Sequence, residues 1–391
     1  MKESFPTKEV RLGIIGTGAM GSWHADSIIG GKVRRVRLSA ICDIRASAMD
    51  RFKGIPKFTD SQKLIRSGTV DAVLIAAPHF LHTTIAIDAL DNGLHVLTEK
   101  PLAVHKADAI QMKKAHSRNK SAVFAAMYQQ RTLNLYKKIR SLVKGGELGR
   151  LRRILWTVTD WFRSDAYYAS SDWRATWKGE GGGLLTNQCV HNLDMWQWLF
   201  GMPDRVRGFC GFGRYHDIEV EDDVSAYFSY KNGTTGILVS SSGEAPGNNR
   251  LEIVGDRGQL VVENGEIIFL RTEVSTEAFC RNTKTAYEVP EFWRAKIRFT
   301  SGGGDHADVI SNFADAIIDG KPLIAPAGEG INQVELSNAI VCSSLLGKEL
   351  NLPMNPKLFS GVLSKLIKGS KKRIGKSARM AGEVPRYIVG R

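Results

Sequence analysis

The sequence predicts an α/β protein of two domains: a doubly wound parallel sheet, then an α+β domain on a large, open, mainly antiparallel sheet. Three observations predict it. Apolar runs alternate with helix-period segments over residues 10–127, as βαβ units do. From residue 151 onward strand-like segments dominate, joined by turn dipeptides such as Asn232-Gly233 and Asn264-Gly265. At 391 residues the chain exceeds what one core usually fills. The expected division is 1–130, 131–364 and a basic tail at 365–391, with helices late in the second segment free to pack on the first domain.

Residues 10–15 form an apolar strand ending in glycine, and 19–29 a helix. A second strand at 36–42 is followed by Asp43, and 61–66 is a short helix. The continuous apolar run 70–77 reads as a strand covered on both faces. Residues 83–90 are helical, stopped by Asn92-Gly93. Strand 95–98, helix 106–116 and strand 122–127 complete the alternation, with Gln129, Gln130 and Arg131 at the strand's end. A linking helix at 133–143 ends at Gly145-Gly146. Strands follow at 151–161, 206–210, 224–230, 234–240, 251–254, 259–262 and 266–270. One helix interrupts them after Gly181-Gly182-Gly183, and helices return at 307–318 and 331–346.

Composition narrows the classes. The 43% apolar content is that of a globular protein, and no run approaches the roughly 20 apolar residues of a membrane span. The N-terminus carries no apolar h-region, so no signal peptide is expected. Five scattered cysteines form no CxxC pair, which argues against a disulfide framework or zinc knuckle and fits a reducing cytoplasm. The net charge of +14 is concentrated in the tail, where residues 365–391 hold nine Lys or Arg and one acid. Tyr387 is its one aromatic, so a stacking platform for nucleic acid is not expected there.

The turn Gly16-Thr17-Gly18-Ala19-Met20-Gly21 has the context of a dinucleotide site: a strand before it, a helix after it, and Asp43 closing the next strand. The first glycine permits the turn, the second admits a pyrophosphate, and the third lets helix and strand pack closely. The helix N-terminus supplies N–H groups to phosphate. Asp43 would accept from the adenosine ribose hydroxyls and repel a 2′-phosphate, favouring NAD over NADP; Arg45 is the nearby residue that could pair with such a phosphate. The competing reading is a plain βα turn with a solvent-facing aspartate.

Glu99-Lys100-Pro101 follows a strand, and ligands in such sheets sit at the strands' carboxyl ends. Pro101 fixes that turn, and its peptide bond is open to the cis form. A lysine there is placed for catalysis or simply solvated at a loop start. Residues 16–21, Ala77-Pro78-His79-Phe80-Leu81-His82, the run 95–103, and Gly181-Gly182-Gly183 through His191 and Asp194 together resemble the Gfo/Idh/MocA family of oxidoreductases. The similarity runs from about residue 10 to 350 in the expected order. It implies an N-terminal Rossmann domain and a C-terminal sheet domain whose outer face forms homodimers or homotetramers. It also implies NAD(P) and a secondary alcohol of a sugar or cyclitol as substrate. Lys100 takes the role of contacting the substrate hydroxyl and nicotinamide. Ala77, Pro78, His79, His82, Glu99 and Gln129 fall in the cofactor region.

The resemblance also implies an aspartate four residues before a histidine, on one helical face. Here those positions are Asn187 and His191. Histidine titrates near neutrality and suits a general base in oxidation or acid in reduction. Asn187 carries no charge, but it can hold a hydroxyl as donor and acceptor; an Asn-Gln variant does occur in the family. Trp173, Arg174 and Arg131 are further substrate-contact candidates, set against a packed loop with surface charges. The acidic stretch around Glu219, Glu221, Asp222 and Asp223 alternates along strand and loop, so no metal site is expected. Two other function classes stay open: a redox-neutral, NAD-dependent glycoside hydrolase or lyase acting through a transient keto-sugar, and a non-catalytic dinucleotide-binding sensor.

Overall fold

The computed structural model describes residues 9–370, so most of the basic tail lies outside the described residues. The described chain divides into two compact units. The first takes residues up to Thr132, Gly179–Gly181 and Gly303–Val334; the second takes Leu133–Lys178, Gly182–Gly302 and residues from Glu335 on.

The first unit contains β1 (Val10–Ile15), α1 (Ala19–Ile29), β2 (Val36–Cys42), β3 (Lys57–Phe58), α2 (Ser61–Ile65) and β4 (Ala72–Ile75). It continues through α3 (His79–Asp91), β5 (His95–Thr98), α4 (Lys106–Arg118) and β6 (Phe124–Ala126). The six strands are all parallel, in the order β3-β2-β1-β4-β5-β6. This is the doubly wound sheet expected from the alternation. The reversal of strand order places the carboxyl ends of β1 and β4 side by side, the usual ligand position in such sheets.

Three local readings change. The apolar run 70–77 keeps only four residues as strand, and α3 begins at His79. Pro78, with φ −56° and ψ 147°, closes the strand end and starts the helix in one step. Gln129, Gln130 and Arg131 lie in a 3₁₀ turn, Gln129–Thr132, rather than at a strand end. Tyr128 N–H bonds to the Ala126 carbonyl, so the chain has already left the sheet.

The second unit carries α5 (Asn134–Lys144), β7 (Leu151–Val158), α6 (Asp165–Ala169), α7 (Leu184–Asn187) and α8 (Val190–Phe200). Then come β8 (Arg205–Phe212), β9 (Glu221–Ser229), β10 (Thr235–Ser241), β11 (Asn249–Gly255), β12 (Gly258–Glu263), β13 (Glu266–Thr272), α9 (Thr276–Asn282) and β14 (Phe292–Ile297). The chain re-enters the first unit as α10 (His306–Asp319), and the division falls within α11 (Ala327–Leu346). β15 (Leu350–Asn351) and α12 (Pro356–Gly369) follow. The nine-stranded sheet runs β14-β13-β12-β11-β7-β10-β9-β8-β15 and is antiparallel except where β7 meets β10. Its strands alternate. Val224, Ala226 and Phe228 are buried, while Tyr227 and its cross-strand partner Ile237 share an exposed face with Phe209. Under the buried face Trp196 of α8 stacks on Trp156 of β7, ring centroids 6.4 Å apart, and lies 4.7 Å from Phe228.

Where the sequence suggested one helix after the glycines, there are two. The Cys189 N–H bonds to the Leu184 carbonyl, five residues back, which widens the turn and ends α7 at Asn187. Asn187 and His191 therefore lie on successive helices, and the i, i+4 rule does not set their relation.

Helix α10 is needed to close the first unit's core. Its Ala307, Val309, Ile310, Phe313 and Ala314 join Leu12 and Ile14 of β1, Leu74 of β4 and Leu97 of β5 in one cluster. Phe313→Ala is expected to lower stability by about 3–5 kcal/mol, the usual range for an emptied phenylalanine site, in urea unfolding of the whole chain. A loss under about 1 kcal/mol would show that the helix is not integral to this core.

Candidate active site

The turn after β1 is shaped by close approach. Gly16 has φ +95°, and a Cβ there would meet the Ala76 carbonyl oxygen at 2.5 Å. A Cβ on Gly21 would lie 1.8 Å from the Gly16 oxygen, so the first turn of α1 rests directly on the loop. At Gly18 the same added atom meets nothing within 4 Å, leaving the backbone open to a ligand. No side chain caps α1 and no acid lies in its first turn. Its N–H end is thus presented without a competing anion.

Asp43, 9% exposed, organises this loop. Its Oδ2 accepts from the Thr17 N–H at 2.9 Å and the Thr17 hydroxyl at 3.1 Å; Oδ1 accepts from the Arg45 N–H at 2.9 Å. Burial works against the charge, but these donors outweigh it and hold the carboxyl below its usual range. The Arg45 guanidinium is largely exposed, with Nε 3.6 Å from Asp43. The residues fit a dinucleotide: an open glycine, an uncapped helix end and an ionised carboxylate one strand away. Gln129 adds a further fit. It is 1% exposed, and neither its amide oxygen nor its amide nitrogen has a protein partner, the signature of a polar group kept for a ligand.

The turns after β4 and β5 are tied together by His82. Its Nδ1 lies 2.8 Å from the Pro101 carbonyl oxygen and its Nε2 2.8 Å from that of Ala77. Both nitrogens face the chain itself, so His82, expected among the cofactor contacts, instead braces the Lys100–Pro101 turn, whose peptide bond is cis. His79 sits at the start of α3 with Nδ1 3.2 Å from the Glu180 carbonyl. Arg131, expected to reach substrate, has a fully enclosed guanidinium paired with Glu329 and 3.3 Å from the Ile324 carbonyl. Its geometry is that of an internal tie. Glu99 is also buried. Its Oε2 accepts the Lys100 N–H at 3.1 Å and its Oε1 lies 2.6 Å from His24 Nε2. Burial would raise this carboxyl, yet the His24 bond and charge, with His306 and Lys100, bring it down to about 2.

His24 and His306 are the residues sequence reading missed. His24 was findable, because Gly21, His24, Ala25 and Ile28 mark the inward face of α1 at helical spacing. His306 lies 207 positions beyond Glu99 and nothing local marks it.

In the second unit the glycine run is held by Glu221 of β9, whose Oε1 accepts from the Gly183 and Leu185 N–H groups, each at 3.0 Å. This carboxylate fastens the start of α7. His191, on α8, is 2% exposed and Asp194 is fully buried, with Oδ1 accepting from Gln197 at 3.0 Å. Burial pushes the neighbouring Cys189 thiol up to about 12, which removes it as a thiolate nucleophile. The loop before the glycines is ordered by stacking. Arg174 lies 4.4 Å over the Tyr167 ring and 5.0 Å from Trp173, and donates to the Tyr167 hydroxyl at 2.6 Å. Gln188, next to Asn187, donates to the same hydroxyl at 3.0 Å. Asp222 accepts from the Arg214, Tyr215 and His216 N–H groups, so this part of the acidic stretch braces a loop.

Comparison with known proteins matches residues 10–127 to the "Oxidoreductase family, NAD-binding Rossmann fold" and residues 136–261 to the "GFO/IDH/MocA C-terminal domain". Levoglucosan dehydrogenase of Pseudarthrobacter phenanthrenivorans is 24% identical over 88% of this chain and 99% of its own length. Inositol 2-dehydrogenase of Corynebacterium glutamicum is 29% identical over 50% of this chain, which spans 55% of that protein. The WlbA dehydrogenase of Bordetella pertussis, solved with NADH and UDP-GlcNAcA, has the same fold, with a TM-score of 0.74 at 24% identity over 89% of this chain and 100% of its own. Among the described residues no helix is long and apolar enough to cross a membrane.

Two predictions follow from the charges. His306 packs edge-on against Trp23 and His24, and desolvation pulls it from an ordinary 6.5 to about 4. The unfolded chain therefore takes up that proton first, so stability falls as pH drops from 6.5 towards 4, by up to about 1.4 kcal/mol per pH unit. Urea midpoints across this window should show the slope, and His306→Asn should flatten it. Asp43→Ala should weaken NAD by roughly 10- to 100-fold, the worth of a charge-assisted bond, and narrow any advantage over NADP. An unchanged NAD to NADP ratio in fluorescence titrations rejects the ribose role.

Proposed function

The chain belongs to the Gfo/Idh/MocA family of oxidoreductases, with an NAD-binding Rossmann domain at its N-terminus, and we propose that it oxidises or reduces a secondary alcohol of a sugar, glycoside or cyclitol. The observation that carries this is the combination in one chain of an open dinucleotide turn and the strand-end Lys100, whose turn is braced by His82 and Glu99. The inositol 2-dehydrogenase and levoglucosan dehydrogenase relatives support the substrate class.

When bound, NAD supplies the hydride acceptor; the turn at residues 16–21, Asp43 and Gln129 are the groups that would hold it. The chain's own side chains bind the alcohol and carry its proton. Lys100 is assigned to the reacting hydroxyl, where an ammonium stabilises charge that grows on oxygen as the O–H weakens. His191 is assigned as base in oxidation and acid in reduction, a role that imidazole meets near neutral pH. Asn187 is assigned to hold a neighbouring hydroxyl through its amide. Having no charge, it leaves the proton transfer to Lys100 and His191. Arg174, whose guanidinium lies over both the Tyr167 and Trp173 rings, and Trp173 itself offer a cation and an indole, a combination suited to the hydroxyls and C–H face of a sugar ring. The exposed apolar face around Phe209, Tyr227 and Ile237 is assigned to a homo-oligomer contact.

The test is absorbance at 340 nm with NAD and a panel of hexoses, glycosides and inositols, with mass spectrometry of the products. NADH formed with one class supports the dehydrogenase. A cleaved or dehydrated sugar without net NADH assigns the redox-neutral reaction instead. Lys100→Ala and His191→Ala should each lower turnover by roughly 10²–10⁴ while NAD still binds, the range for acid–base groups. Near-normal turnover in either variant removes that residue from the mechanism.

A further inference from the structure

We infer that His24 is a positioning residue for Lys100, acting through the Glu99 carboxylate that it holds from helix α1. All the contacts involved lie within the first unit. The His24 side chain is completely buried and that of Glu99 is 6% exposed. An ionised carboxylate has no hydrogen to give, so the 2.6 Å contact places the proton on His24 Nε2. The other carboxylate oxygen accepts the Lys100 backbone N–H at 3.1 Å. One side chain thus joins the helix that presents the glycine turn to the residue that carries the amine. His24 Nδ1 is buried with no hydrogen-bond partner, so this imidazole has one polar engagement, and that engagement is Glu99. Trp23 and His306 enclose the ring at 5.4 and 5.5 Å.

The charged and titratable groups around the pair are Glu99, Lys100, His306, the buried His82, which burial keeps neutral, and, beyond His306, Asp305. His306 is held neutral at working pH, with its value near 4. His24 and Lys100 are then the groups that answer the Glu99 charge. Take the imidazole away and the buried carboxylate loses its donor. It then either takes up a proton or turns aside. In both cases Lys100 loses the negative neighbour that favours its ammonium form, and its amine becomes more reactive.

This inference rests on the reading of Lys100 as the catalytic amine, and its test needs no alcohol substrate. Purified wild type, His24→Phe, His24→Gln and Glu99→Gln are labelled with limiting acetic anhydride across the neutral to alkaline range. Acetylation of Lys100 is read by mass spectrometry, and NADH binding by fluorescence. His24→Phe and Glu99→Gln should each quicken Lys100 acetylation roughly tenfold below the amine's midpoint, the effect of about one pH unit. His24→Gln keeps an N–H in the place of Nε2–H and should stay within about twofold of wild type.

Wild-type labelling in His24→Phe, with NADH binding retained, overturns the inference. So does a His24→Gln variant as disturbed as His24→Phe, which would point to ring packing alone. Should His24→Phe fail to fold, wild-type labelling in Glu99→Gln overturns it by the other route. A silent substrate panel counts against the proposed reaction and leaves these labelling results fully readable.

Discussion

The site depends on how closely α1 approaches the end of β1. The first turn of the helix sits against the Gly16 carbonyl, at a distance that leaves no room for a Cβ on Gly21. That contact keeps the helix N-terminus low over the sheet and the Gly18 backbone open. It also brings Thr17 within reach of Asp43 at the end of the neighbouring strand. A β-carbon at the crowded position would push the helix off the strand and with it the N–H groups, the aspartate contact and His24 one turn further along. A steric constraint thus sets an electrostatic one, because the same displacement would separate the His24–Glu99 pair.

Buried polar groups in the first unit are costly unless paired, and their pairing shows where the fold invests them. Arg131 with Glu329 and His82 between two carbonyls brace turns at the strand ends. Gln129 has a buried amide with no protein partner, and it lies in the turn after β6, on the carboxyl side of the sheet. In the second unit Glu221 plays the bracing part, taking both N–H groups at the start of α7. The stack of Trp156, Trp196 and Phe228 seats α8, and therefore His191, on the sheet.

Much of the first unit was legible along the chain. β1, α1, β2 and β5 have the bounds expected of them, because a turn or polar residue closes each one, whereas the apolar run at 70–77 carries no such stop and only Ala72–Ile75 of it is strand. The glycine turn and Asp43 were legible for the same local reason: turn chemistry and strand length together fix where the carboxylate falls. Elements such as α6, α9, β14 and α12 were not: α6 and α9 are short, β14 is a mostly exposed edge strand, and α12 runs on into the basic segment that begins at residue 365. Arg131 illustrates another limit. An arginine near a strand end looks available, and its acid partner 198 positions away is visible to no local pattern.

What the sequence by itself determined is the class of fold, the order of the first unit's main strands and helices and the dinucleotide turn, all set by period, turn residues and spacing within a few dozen positions. Tertiary structure alone decided which polar side chains are occupied by the protein. It joined His24 to Glu99, set His306 against that pair, returned α10 to the first unit's core and broke the helix between Asn187 and His191. Each of these depends on atoms distant in sequence, or on one backbone bond of non-standard span. Such relations follow from how the chain packs as a whole, and no local periodicity records them.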